Sequence, residues 1–162
     1  MTNKHLVINA LRGAGRADAL TLRADAVEGR ITDTDIIDRE EAVPAWRNDR
    51  DYTTAPIGTP VAYGGQVYGL LQPHNASYYP DTTPAMLAAL WRVKHTTNPE
   101  KAKPWVKPTS TSDMYRKGEC MVWTDVRGNT ATMRATRDTA YSPEEYAGDW
   151  EVVENNTEEV TE

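Results

Sequence analysis

Four tryptophans fall into two pairs with the same internal spacing: Trp46 and Trp91 are 45 residues apart, and so are Trp105 and Trp150. Self-similarity at a fixed period marks a duplicated structural unit, so the chain is constrained to two like modules. The interiors agree with this. Gly58 lies 12 residues after Trp46 and Gly118 lies 13 after Trp105, and Val61 and Tyr63 match Met121 and Trp123 at an offset of 60. Further on, Gly65 to Pro80 and Gly128 to Pro143 each span 15 residues. That span pairs Leu70 with Met133, His74 with Arg137 and Tyr78 with Tyr141 at an offset of 63, which a three-residue insertion in the Asp125–Gly128 turn would explain.

Each unit reads as strands. Thr59 to Tyr63 alternates towards Gly64-Gly65 and Gln66 to Leu71 resumes the extended pattern, which predicts a β-hairpin. Glu119 to Thr124 and Thr130 to Ala135 repeat this around Gly128-Asn129. An isolated hairpin is marginal in water. The bracketing indoles of Trp46, Trp91, Trp105 and Trp150 are therefore expected to form each module's core, lying on flanking extended pieces over one face of a small sheet. A fully buried large side chain contributes about 2 to 3 kcal/mol, and aromatic residues supply the most area per position. For Tyr63 and Trp123, at equivalent hairpin positions, core and surface stay open.

All 13 Trp and Tyr residues lie between Trp46 and Trp150, which sets the first 45 positions apart. There, Leu6, Val7, Ala10 and Leu11 have helical spacing, interrupted at Gly13 to Gly15. Arg16 to Val27 predicts a second helix, with Leu20 to Leu22 alternatively extended, and Asp33 is expected as an N-cap before Ile36 and Ile37. The expected organisation is thus mainly β: a helical anchoring segment over 1–43, small antiparallel β-modules over 44–97 and 105–152, a proline-bearing linker over 98–104, and an acidic, disordered tail over 153–162. With little apolar surface, the segment 1–43 is expected to attach the chain to a larger assembly and to be dispensable for folding of the modules.

Charge and motif content narrow the function classes. The net charge of −6 is concentrated at the end, since Glu151 to Glu162 holds five acids and no base. The remainder is nearly neutral, which gives no basic stripe for nucleic acid and no electrostatic draw to anionic membranes. No apolar run approaches the ~20 residues of a membrane span. Cys120, the single cysteine, excludes an intramolecular disulfide and reads as a buried, inert thiol. His5, His74 and His95 lack metal-ligand spacing, so no metal or cofactor is expected. Gly13 to Arg16 lacks the lysine and hydroxyl residue of a phosphate loop. No base, nucleophile and orienting group converge, and modules this small offer little in which to shift a carboxyl pKa, so an enzyme is not expected.

Trp46, Tyr52, Gly58, Val61, Tyr63, Gly65, Val67, Tyr68 and the closing Leu90-Trp91 together resemble the small chitin-binding-type carbohydrate-binding modules of families 5 and 12. The variant in structural proteins of tailed bacteriophages is the nearest likeness, through Pro44-Ala45-Trp46 after a helical leader, Gln72-Pro73-His74 and Pro80-Asp81. The second unit, with Gly118, Trp123, Arg134 to Asp138, Tyr141-Ser142-Pro143 and Asp149-Trp150, resembles a diverged copy, so the likeness covers about residues 31–151. In that family two adjacent aromatic residues after the hairpin form the sugar platform. Here those positions align with Gln72 and Pro73, and with Ala135 and Thr136, none of which offers an aromatic face to a sugar ring.

Tyr78, Tyr79, Tyr141 and Tyr146 remain as candidate carbohydrate-binding residues, because they sit in polar loops where an outward ring can still stack on a sugar. The resemblance implies a virion structural protein of a tailed phage, a capsid fibre or decoration protein or a tail or baseplate component. It would be assembled in the host cytoplasm, held to other virion proteins by its N-terminal segment, and would display its modules to host-surface glycan. Small cores without disulfides favour homo-oligomers, and the fibre analogy suggests a trimer. The alternatives are a free or enzyme-associated protein binding chitin or cell-wall glycan, and a spacer without ligand.

Overall fold

The computed structural model describes residues 17–153. It is mainly β, with a short helical segment ahead of two small sheets. The helix expected around Leu6 to Leu11, the glycine break after it and the acidic tail beyond Val153 lie outside the described residues. The chain divides into two units between Lys94 and His95.

In the first unit, residues 17–27 form a helix, α1, which settles the open reading at Leu20 to Leu22. It stops at Gly29, whose φ of 72° only a glycine takes without strain. The Gly29 N–H donates to Ala26 O and the Arg30 N–H to Asp25 O, the paired bonds that close a helix through a left-handed residue. Helix α2 (Asp33–Asp38) begins at Thr32. The Thr32 hydroxyl accepts from the Asp35 N–H and the Asp35 carboxylate accepts from the Thr32 N–H. The cap thus lies one residue before Asp33, whose carboxylate is engaged elsewhere.

Strands β1 (Pro60–Tyr63), β2 (Gln66–Leu70) and β3 (Trp91–Val93) form an antiparallel sheet in that order. Gly64 and Gly65 both have positive φ, 59° and 80°, as a two-residue hairpin turn requires. The central strand β2 is buried on both faces. On one face Val67 joins Leu22, Ile36, Ile37 and Val43 in a single apolar cluster, with Ala26, Ile31, Ala42 and Ala62 packed against it. On the other, Leu70 pairs with Trp91, whose ring meets Tyr52 edge-on at 5.1 Å. The segment before Pro44 is therefore one side of this unit's core. The expectation that it is dispensable for folding is corrected, because without it Val67 and Ala62 would face water.

The second unit holds β4 (Lys103–Pro104), β5 (Cys120–Thr124), β6 (Thr130–Ala135) and β7 (Trp150–Val152), in that order. All pairings are antiparallel except β4 with β5, which is parallel. The stretch expected as a linker thus supplies an edge strand, preceded by a 3-10 turn over Pro99–Lys101. Pro104 suits this place because an edge strand can forgo one donor. The core is Tyr115, Met121, Ala135 and Trp150, flanked by Trp105, Trp123 and Met133.

The two units superpose by their hydrogen bonds, and this revises one register. Gly58 N–H donates to Leu70 O and Gly118 N–H to Ala135 O, while Leu70 pairs with Trp91 and Ala135 with Trp150. Leu70 therefore corresponds to Ala135, not to Met133. The hairpin connection is five positions longer in the second unit: the turn, residues 125–129, adds three over Gly64-Gly65, and the extra strand pair of Thr124 with Thr130 adds two. A slip of two leaves every side chain on its original face, so the alternation pattern could not expose it.

Candidate functional site

The four candidate tyrosines are all solvent-facing: Tyr78 is 76% exposed, Tyr79 47%, Tyr141 49% and Tyr146 52%. In both units they occupy the connection between the hairpin's second strand and the following strand. In the first unit, Asn75 accepts from the Ser77 N–H at 3.0 Å and the Ser77 hydroxyl at 2.7 Å, which starts the 3-10 turn Ala76–Tyr78 and turns Tyr78 outward. Tyr79 lies 6.5 Å from the His74 ring, which in turn rests against Trp91 at 5.4 Å. The His74 Nδ1 is 2.8 Å from Gln72 O.

The second unit builds a tighter arrangement. Ser142 and Glu145 exchange bonds, the Ser142 N–H donating to the Glu145 carboxylate and the Glu145 N–H to the Ser142 hydroxyl. The Ser142 N–H holds the Glu145 carboxyl below its usual range. The resulting turn brings Tyr146 back over Tyr141, with ring centroids 5.1 Å apart at 40°. From below, the Trp150 indole N–H donates to Tyr141 O at 2.8 Å and so ties this loop to the core.

Arg137, which the sequence marks only as part of the repeat, adds a cation. Its guanidinium lies 5.9 Å from the Tyr146 ring, and its Nε donates to the buried Asp149 carboxylate at 2.5 Å. Asp149 also accepts from the Thr139 hydroxyl at 2.6 Å. Neither spacing nor composition marks Arg137 as part of a site, because its partner follows it by 12 residues across a loop. Two outward rings beside a fixed cation make a surface that can stack on a sugar's C–H face and donate to its oxygens. In the first unit the corresponding partners differ, since Gln72 Nε2 donates instead to the backbone O of Ala89.

The bracketing tryptophans split into two kinds. Trp91 and Trp150 are core, 2% and 5% exposed. Trp46 and Trp105 are half-buried and meet Tyr63 and Trp123 edge-on, at 5.3 Å and 6.0 Å. Trp46 N–H donates to Ala62 O and Trp105 N–H to Val122 O, so both open their unit beside its first hairpin strand. Tyr63 is exposed and Trp123 half-buried, which answers the open reading with a shared edge position. A buried tyrosine in each unit has a core role that the sequence reading did not assign, although Tyr52 is among the residues that carry the resemblance. Tyr52 and Tyr115 give their hydroxyl oxygens to the N–H groups of Arg47 and Val106, and burial raises both phenol pKa values.

The revised register changes the internal correspondence after the hairpin: Gln72 and Pro73 match Arg137 and Asp138, rather than Ala135 and Thr136 being their counterparts. No aromatic ring stands at any of them. Cys120 is buried, and burial pushes its thiol pKa up. Among the described residues no group of three or more His, Cys, Asp or Glu side chains is placed to hold a metal ion, and no helix is long and apolar enough to cross a membrane. No protein-family model matches the chain, and no curated protein matches it.

Proposed function

We propose that the chain is a non-enzymatic structural protein of a tailed phage particle, displaying two carbohydrate-binding-like modules for adhesion to the host surface. The resemblance of residues 31–151 supports the setting. The observation that carries the activity is the recurrence of two outward tyrosines on the same connection of both units, Tyr78 with Tyr79 and Tyr141 with Tyr146. Rings left in water on the same connection, though not at matching positions of the revised register, gain free energy when a ligand covers them. Each contact is weak, and weak contacts become useful through display of both units on many copies of the chain, where avidity multiplies them. Other virion proteins would hold the N-terminal segment, and a trimer is the proposed oligomer.

The test is retention of the full chain on insoluble peptidoglycan and on chitin. Retention on one polymer is expected, and Tyr141→Ala with Tyr146→Ala should cut it about tenfold, the loss of roughly 1.4 kcal/mol. Tyr78→Ala with Tyr79→Ala should cut it less, because Tyr78 has no ring beside it among the described residues. Unchanged retention in the fourfold variant would refute the reading.

A further inference from the structure

A cleft of about 370 Å³, lined by none of the four tyrosines, opens in the first unit between α1 and the loop that follows Trp46. Its floor is rigid. Tyr52, Thr59, Pro60 and Val61 line it and are all buried, and the Thr59 hydroxyl is already spent on Pro56 O at 2.6 Å. Two arginines line it, Arg23 from α1 and Arg50 from the loop. Half of the described arginines of this unit are committed to carboxylates: Arg30 to Asp25 and Glu28, Arg47 to Asp49, Arg92 to Asp33. Among the described residues, neither Arg23 nor Arg50 has an ion pair, and Arg50 has only the Tyr52 ring, 6.0 Å from its guanidinium. The one carboxylate of the lining, Asp51, is turned to Thr53, accepting its N–H at 2.9 Å and its hydroxyl at 2.6 Å. These bonds hold its pKa down and keep it charged, which leaves the lining one positive charge in excess. The Thr54 hydroxyl, also in the lining, donates to nothing among the described residues.

We infer that this cleft is a binding site for a small organic carboxylate of the size of one acidic sugar unit. Two arginine forks match the planar carboxylate, which accepts charge-assisted bonds from each. Thr54 can meet a hydroxyl, and the exposed apolar rim from Pro44, Ala45 and Pro56 receives the C–H face of the ligand. The volume lies in the range of small-ligand pockets. A bare inorganic anion would leave that rim in water, so the organic part is an essential portion of the ligand. The site is independent of the tyrosine surfaces and does not rest on their binding a glycan.

The experiment titrates the isotopically labelled full chain with glucuronate, glucose and inorganic phosphate at constant ionic strength, followed by amide chemical shifts. Glucuronate should shift Arg23, Thr54 and Val61 together, saturating in the millimolar range, while glucose leaves them unmoved and phosphate binds several-fold more weakly. Arg23→Gln and Arg50→Gln should each weaken glucuronate about tenfold with the rest of the spectrum unchanged. Absence of a saturable glucuronate shift, an equal response to glucose, phosphate binding as tight as glucuronate, or full affinity in both variants would each overturn the inference. The fourfold tyrosine variant separates the two sites: it should keep glucuronate binding whether or not it loses retention on polymer.

Discussion

Asp33 shows how one carboxylate is worth more than its place in the helix suggests. Its two oxygens accept from Arg92 at 2.8 Å and from Lys94 at 3.0 Å, joining α2 to the sheet. Lys94 is nearly buried and crosses the backbone at Gly69, where a Cβ would stand 3.0 Å from its Nζ. Burial alone would raise the Asp33 pKa, but the two cations outweigh it and hold it below its ordinary 3.8. For Lys94 the balance is reversed, since burial lowers its pKa by more than Asp33 restores. Removing the carboxylate therefore strands a buried ammonium, whereas removing the ammonium leaves Asp33 with Arg92. Asp33→Asn should cost on the order of 3 kcal/mol in urea unfolding, and Lys94→Met under about 1 kcal/mol or even a gain. Equal losses would contradict this asymmetry. With the folded pKa depressed, the Asp33 contribution is present above pH ~4 and is lost as pH falls through its folded value. Acid melts of the native chain should steepen there, and those of Asp33→Asn should not.

The comparison of elements explains why only the first unit has a helical leader. On the face where β2 presents Val67 and Gly69 to α1 and α2, the equivalent positions of β6 are Thr132 and Arg134, and Arg134 stands opposite Glu151. One sheet face is apolar and needs a cover; its counterpart is polar and can meet water. Leu22, fully buried, is the cover's central contact. Leu22→Ala should destabilise the first unit by about 2 to 5 kcal/mol, read by chemical denaturation. A fragment of residues 44–94 should show no cooperative transition, and a sharp melt from it would show that the helices are only an attachment.

For the whole molecule, duplication makes each unit's stability a separate question. The second unit has its own core and its own stack, in which the Tyr115 ring lies 3.7 Å from His95 and 5.2 Å from Trp105. His95 Nε2 is bonded at 2.8 Å to Asp113 O. A fragment of residues 95–153 should accordingly fold alone, with near-ultraviolet circular dichroism from its fixed indoles and a cooperative thermal transition. A fragment without near-ultraviolet signal would mean that the second unit needs the first.

Much of the architecture was legible in residue order alone. The tryptophan spacing gave the duplication, period-two alternation gave all four hairpin strands to within one residue, and Gly64-Gly65 gave the first turn, because these signals are local and a pleated backbone reads them directly. The tyrosine loops were legible for the same reason. What local pattern could not reach was decided by packing. A register shift of two is silent in alternation, so the match of Leu70 to Ala135 needed the hydrogen bonds. The helical leader looked detachable because its few apolar residues suffice only once Val67 lies beneath them. Arg137 meets Asp149 across a loop, and Arg23 and Arg50 come to line one cleft from different elements; only the closed fold brings such groups together.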